Sequence, residues 1–408
     1  MDNSNNVHAD AASASSGSSF GDVTSKRARR IRGRKALKIV LVSLIALLLV
    51  IVCAGTAIIM PLIQAYNNGY TKVPIISGPD SFKIPDFPSG VIDTETYDPN
   101  DTSVPDTEEP YVPPKAPVSV NGIYKVDQKD PDIENILLVG TDSLKMSSLK
   151  GRSDTMIVCS YNKRTGEAKL ISLLRDMLVP IPGIGENGKT IWQRLNAAYS
   201  IGNIAVTVNT INQLFDLDIQ RFVIINFEGT KKLVDACGGV DLKLTTGEVD
   251  YIAENGGSVK NKGNGIYHLD GEAALTHMRH RKDSSDYKRT ERQRNVITAL
   301  FRQVVASRDL TDIYNLVQKG FNMIQTNISL DQVLDLAESI VSNGSNMKIG
   351  SYRLPMGTAG SVSQGADYGS IYFHMNKQIQ VGKGQGGAEV IQINIESQRK
   401  QLQKLIYG

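Results

Sequence analysis

Two acidic motifs and one arginine cluster hold the residues that could do chemistry. Asp142 stands in LLVGTDS, just after an apolar run, and Arg152 and Asp154 stand in GRSDTMIV, just before another. Farther on, HMRHRKDSSDYKRTERQR packs Arg279, Arg281, Arg289, Arg292 and Arg294 around Asp286 and Gln293. Two carboxylates can share a divalent cation, and planar guanidinium forks make paired, charge-assisted hydrogen bonds to phosphate oxygens. Set facing one another, the two groups suit a pyrophosphate. Hard oxygen ligands with few protein contacts suit Mg²⁺ (or Mn²⁺), which keeps waters and takes phosphate oxygens from a substrate. The plain alternative is a pair of loop aspartates that cap turns.

These side chains need elements to position them. Asn135 to Gly140, Thr155 to Tyr161 and Ala168 to Leu174 are short apolar runs that read as buried strands. Asp142 follows the first and Asp154 precedes the second, so antiparallel pairing would bring the two carboxylates to one edge. Ligand groups in open α/β sheets gather at strand ends. Arg175-Asp176 closes the third run, as a structural ion pair or as an arginine aimed at an anion. Adjacent strand residues face opposite ways, so the two are expected to have separate roles. Arg194 opens RLNAAY, before a helical stretch.

A helix from Lys288 to Ser307 puts Arg289 and Gln293 on one face, with Arg292 at its flank. Asp286 lies near its N-terminus, where backbone amides and the dipole also favour an anion. In an extended segment Arg279 and Arg281 would point the same way. A charge run is often only a solvated face, but the flanks here, AALTHM and VITALF, are apolar.

Elsewhere the spacing predicts a helix over Asn196 to Phe215, a strand over Arg221 to Phe227 and a short helix over Lys231 to Cys237, stopped by Gly238-Gly239. Asp270 is a good N-cap for a helix through about His277. Further helical stretches fall around 312–323, 330–342 and 396–406. The alternation argues for an α/β domain, layered α-β-α around a central mixed β-sheet. Gly183-Ile184-Gly185-Glu186-Asn187-Gly188 matches a dinucleotide fingerprint only in letters, because it follows VPIP in a turn. His277 and His280 have no partners spaced for a metal and read as packing residues.

The net charge of +3 over 408 residues hides a segmental pattern. Residues 1–60 carry a net +5, residues 61–125 a net −5, and 277–294 alone a net +4. A localised basic site in an otherwise near-neutral domain argues against nucleic-acid binding. Ile39 to Met60 is a 22-residue uncharged run, long enough to cross a hydrocarbon core of roughly 30 Å. The basic stretch Lys26 to Lys35 before it keeps that end in the cytoplasm and sends the rest outward. An uncleaved signal-anchor fits better than a cleaved signal peptide, since the run is long and no small-x-small site follows. Residues 61–118 hold eleven of the fifteen prolines and read as a spacer. The organisation expected is therefore 1–38 cytoplasmic, 39–60 transmembrane, 61–125 linker and 126–408 folded domain. Cys159 and Cys237 lie among apolar residues and serve equally as buried thiols or a disulfide.

NILLVGTDS, GRSDTMIVCSYN, LISLLRDMLVPIPG, RLNAAYSIG, FVIINFEGTKKLVDACGGVDL, HLDGEAALTHMRHRKDSSDYKRTERQR and the closing QLQKLIYG stand in an order that resembles the LytR-CpsA-Psr family. The resemblance spans most of 133–408. It implies a type II membrane protein of a bacterial, Gram-positive envelope, its domain outside the cytoplasmic membrane. It implies a phosphotransferase that moves a glycopolymer (teichoic acid, capsule or another wall polysaccharide) from a polyprenyl-pyrophosphate carrier to N-acetylmuramic acid of peptidoglycan. By motif, Asp142 and Asp154 would hold Mg²⁺. Arg152, Arg175, Arg279, Arg281, Arg289 and Gln293 would surround the pyrophosphate, with Asp286 supporting the arginines and Arg194 standing where many relatives have lysine. Asp142, Asp154, Arg175 and Arg281 would be the catalytic set, with Asp154 and Asp286 open as general base. The helix with Ile204, Val208, Ile211 and Leu214 is one candidate wall for the prenyl chain, or plain core. A lipid-pyrophosphate hydrolase and a non-catalytic sensor are the rival functions.

Overall fold

A computed structural model describes residues 60–79, 82–85, 122–143, 151–184, 189–280, 286–306, 318–344, 347–356, 372–374 and 389–408. The chain divides into two units, Met1–Ile63 and Gln64–Gly408. Of the first, only residues 60–63 are described, and they are helical. The apolar run from Ile39 therefore lies outside the described residues except for Met60. Among the described residues no helix is long and apolar enough to cross a membrane.

After helical residues 64–69, the second unit continues with β1 (Ile75–Ile76), β2 (Ile123–Tyr124), β3 (Ile133–Thr141), β4 (Ser153–Asn162), β5 (Glu167–Leu173), β6 (Met177–Ile181) and β7 (Ile191–Arg194). Then come α1 (Ile204–Phe215), β8 (Arg221–Asn226), α2 (Phe227–Ala236), β9 (Val240–Lys243) and α3 (Thr246–Glu254). A hairpin of β10 (Val259–Gly263) and β11 (Ile266–Leu269) leads to α4 (Gly271–Arg279) and α5 (Asp286–Ala306). The chain finishes with β12 (Ile324–Thr326), α6 (Leu330–Asn343), β13 (Lys348–Leu354), β14 (Tyr372–His374), β15 (Glu389–Gln392) and α7 (Ile395–Tyr407).

Six strands make the central sheet in the order β12-β8-β3-β4-β5-β13. It is mixed: β3 runs parallel to β8 and β5 parallel to β13, while β3–β4, β4–β5 and β12–β8 are antiparallel. One face carries Leu137, Val139, Met156, Val158 and Ile171, buried with α1 and α7 in the largest core cluster. The other face presents Leu138, Ile157, Val223 and Ile225 toward α2, α4 and α5. The period of two along each strand separates these sets. Arg294 fastens α5 to the sheet, its Nε on Ser351 Oγ at 2.6 Å and its Nη1 on Ser172 Oγ at 2.7 Å.

Several expectations need adjustment. The helix expected over Asn196–Phe215 is broken: a π-turn spans Ala198–Gly202, and Asn203, at φ 117°, caps α1 through bonds from Ala205 N and Val206 N. A Cβ on Gly202 would lie 2.6 Å from Val206, so the chain turns there without a side chain. Val179-Pro180-Ile181 belongs to β6, and the turn begins only at Pro182. Pro180 is tolerated because β15 pairs only with Met177 and Leu178, leaving no partner for an N–H on that side. Part of the proline-rich stretch is tied to the domain. Thr71 N donates to Thr326 O at 2.7 Å, Tyr66 packs edge-on against Phe321 with ring centroids 5.3 Å apart, and β1 pairs with β2. The buried amide of Asn209 holds both ends of β2, accepting from Tyr124 N and donating to Gly122 O. Of the helical stretch expected around 312–323, residues 312–317 lie outside the described residues. Cys159 and Cys237 are free thiols.

Candidate active site

The antiparallel pairing of β3 with β4 brings Asp142 and Asp154 to one end of the sheet, where both line one cavity of about 760 Å³. A register shift at Gly140/Thr141 turns the chain out of β3. Asp142 is then pinned: its N donates to Arg152 O at 3.3 Å, and its Oδ1 accepts from Arg152 N at 2.7 Å. Gly151 is what lets these loops meet. A Cβ there would fall 2.6 Å from Thr141 Oγ1 and 2.9 Å from Asp142 Oδ1. Under this loop lies Tyr199, which the sequence did not single out. Burial, and to a lesser degree the charge of Asp142, pushes its phenol up to about 12, so it stays protonated.

Both carboxylates touch guanidinium groups. Arg152 Nε lies 3.4 Å from Asp142 Oδ2, and Arg175 Nη1 donates to Asp154 Oδ1 at 2.7 Å. Arg175 Nε also reaches Asp176 Oδ2 at 3.2 Å, and Asp176 Oδ1 lies 3.5 Å from Arg194 Nη1. Arg175 and Asp176 thus work on the same side, against the expectation of opposite facing. The reason is that β5 ends at Leu173, so the pair lies in a turn, where strand alternation no longer applies. Arg175 and Arg194 do not line the cavity themselves; they stand behind Asp154 in one chain of ion pairs.

α5 supplies the opposite wall. Arg289, Gln293, Val296, Ile297, Leu300 and Phe301 line the cavity at helical spacing. The stripe is polar at the N-terminal end and apolar beyond it. It is not a solvated face: Arg289, Arg292, Gln293 and Arg294 are all at most 5% exposed. Gln293 Oε1 is buried without a hydrogen-bond partner among the described residues. At the end of α4, Arg279 lies over the Phe227 ring at 4.7 Å and also lines the cavity. Arg281 lies outside the described residues, as does the Asp286 side chain. The α1 positions Ile204, Val208, Ile211 and Leu214 are plain core, on the far side of the sheet. The apolar wall is built instead by α5, with Leu233 of α2, Leu275 of α4 and the sheet residues Leu138, Ile157 and Val223.

A buried cluster braces this wall. Glu248 of α3, capped in a box with Thr245, accepts from Arg292 Nε at 2.8 Å, and Arg292 Nη1 donates to His280 O at 3.1 Å. Burial works to raise the Glu248 carboxyl, but bonds from Arg292 and Thr245 prevail and hold it below its ordinary value. His277 is 3.9 Å from Glu248, yet burial pushes its imidazole down to about 4. A base held neutral in the fold favours folding above its ordinary 6.5, and that contribution is lost as pH falls toward 4. Between pH 7 and pH 5 the wild type should lose roughly 2 kcal/mol of stability from this group. His277→Gln should lack that increment. Denaturant melts at the two pH values check it, and equal pH dependence in both proteins would refute it.

Among the described residues, no three His, Cys, Asp or Glu side chains gather to hold a metal. The oxygen donors at the mouth are Asp142 and Asp154, partly exposed at 28% and 25% of their side chains.

The profile of the LytR_cpsA_psr family matches residues 103–383. A relative in Bacillus cereus (strain AH820), polyisoprenyl-teichoic acid–peptidoglycan teichoic acid transferase TagU, is 32% identical over 220 residues, 53% of this chain and 66% of the relative. The corresponding TagV of Bacillus subtilis (strain 168) is 30% identical over 219 residues, 53% of this chain and 54% of the relative. The chain thus spans less than two thirds of either protein's length. A solved structure, TagT bound to LI-WTA, shares the fold at a TM-score of 0.50 and 24% identity, covering 69% of this chain and 94% of that one.

Proposed function

The chain belongs to the LytR_cpsA_psr family, and from that premise we propose that it is a phosphotransferase that moves a glycopolymer from a polyprenyl-pyrophosphate carrier to peptidoglycan. One observation carries the reading. A single cavity joins a mouth of carboxylates and guanidinium groups to an arm lined by aliphatic and aromatic side chains. An amphiphile with a doubly phosphorylated head and a long hydrocarbon tail matches that polarity along its length. Apolar pockets of this kind fix orientation through a few well-placed polar groups.

In this reading the hydroxyl oxygen of an N-acetylmuramic acid residue bonds to the phosphorus nearer the glycan. The bond from that phosphorus to the bridging oxygen breaks, and polyprenyl phosphate leaves with the electron pair. The hydroxyl proton passes to a base. Arg152, Arg279 and Arg289 would lie against the phosphate oxygens, where fixed positive charge lowers the barrier most. Arg175 and Arg194 would act through Asp154 and Asp176. Asp142 and Asp154 fit Mg²⁺, because they offer two hard oxygen donors and leave room for water and phosphate oxygens. Bound there, the cation would neutralise charge that develops on the phosphoryl group. The uncharged run Ile39 to Met60 would hold the protein in the cytoplasmic membrane, beside its lipid substrate, with the domain outside.

The test incubates the protein with a polyprenyl-pyrophosphate-linked glycan, peptidoglycan oligomers and Mg²⁺, and weighs the products. Glycan joined to muropeptide through a phosphodiester is the expected result. Free phosphoglycan alone would make the protein a hydrolase, and intact lipid held tightly would make it a sensor.

A further inference from the structure

Group transfer needs a place for a second substrate. In an in-line displacement the attacking oxygen enters opposite the one that leaves. The leaving oxygen carries the prenyl chain, which the apolar arm under α5 accepts. The acceptor must therefore come from the polar side. On the α3 and α4 side, the cavity is lined by Tyr251, Asn255, Glu272 and Thr276 as well as by Arg279.

These four form a strip that leads away from the arginines. The Tyr251 ring stacks on His280, with centroids 3.8 Å apart and planes 20° apart, which fixes that end beside the C-terminus of α4. Glu272, Thr276 and Arg279 recur at helical spacing, so the strip follows α4 for about 10 Å. Asn255 donates through Nδ2 to Tyr251 O at 2.8 Å, which leaves its Oδ1 as an acceptor. Asn255 and Glu272 are exposed, whereas Arg289 and Gln293 are buried. A polymer can enter the strip side-on, as it could not under α5.

The chemistry of the strip differs from that of the mouth. It offers a phenol, a hydroxyl, an amide and a carboxylate, and Glu272 is ion-paired at 3.1 Å with Lys231 Nζ, which it shares with Glu228. Among the described residues, no guanidinium lies on it short of Arg279. Such a surface suits a neutral ligand rich in hydroxyl and amide groups, not a second phosphate. We propose that this strip is the acceptor subsite, and that it takes an N-acetylated glycan strand. The proposal rests on the transferase reading above.

The test uses the full chain, a polyprenyl-pyrophosphate-linked glycan as donor and a peptidoglycan tetrasaccharide as acceptor. The variant Tyr251→Phe/Asn255→Ala/Thr276→Val keeps the stacked ring and removes polar groups only. Acceptor KM should rise about tenfold, the scale of one or two lost hydrogen bonds, while donor KM stays within about twofold. A variant whose acceptor KM is unchanged, or whose donor KM rises in step, overturns the subsite. A wild-type protein that leaves the donor intact overturns the transferase reading, and the subsite with it.

Discussion

Asp142→Ala and Asp154→Ala should each lower the rate of transfer by about 10²–10³, the scale seen when a charge-stabilising group is removed from an active site. Neither should unfold the protein. Both side chains stand at strand ends, about a quarter exposed, and neither belongs to a core cluster. The ion pairs that they lose are partly solvated, and such pairs contribute about 1 kcal/mol or less. Asp142→Asn separates charge from position. It can still accept from Arg152 N, so the loop would hold its shape while the formal charge is gone. Single-turnover rates beside thermal melts measure both quantities. An Asp142→Ala protein that transfers within about tenfold of wild type would remove Asp142 from the chemistry.

Leu300→Trp should change which lipids the protein accepts. Leu300 lies eleven residues beyond Arg289 on α5, so it lines the cavity about 17 Å from the charged end. An indole there would block the end of the apolar arm and leave the mouth alone. At about 0.8 kcal/mol for each buried methylene, displacing three or four costs about 100-fold in affinity. A long-chain donor should therefore bind about 100-fold more weakly, while a short-chain analogue holds to within about threefold. Val296 is a poorer place for this substitution. It is 1% exposed and packed with Val234 and Leu269, so added bulk would strain the core. Equal losses for long and short chains would show that the tail does not occupy this arm.

The parts of this site that were legible in the sequence follow from short-range rules. β3, β4 and β5 announced themselves as apolar runs, and the position of each aspartate beside its strand was enough to place both at one edge. The face shared by Arg289 and Gln293 needed only the helical period. What stayed hidden depended on partners far along the chain. α5, not α1, walls the cavity, because apolar spacing alone cannot tell which side of the sheet a helix covers. Arg292 and Arg294 look like their neighbours in sequence, yet Glu248 and the serines of β5 and β13 claim them for structure. Thr245 and Glu248 do form a capping-box pattern, a local signal for α3 that periodicity alone passes over. β6 and β7 were obscured by Pro180, which is disfavoured in strands but is allowed where one neighbour stops short.

The pairing of Arg152 with Asp142, and of Arg175 and Arg194 with Asp154 and Asp176, has a consequence for how ligands arrive. Opposite charges a few ångströms apart cast little field into solvent, and what remains is screened within about 8 Å at physiological ionic strength. On the aspartate side of the mouth an incoming anion therefore meets little net charge, and the pull among the described residues comes from Arg279 and Arg289 across the cavity. For the proposed lipid, a tail seated in the greasy arm beneath α5 would hold the head where it can compete with Asp142 for Arg152.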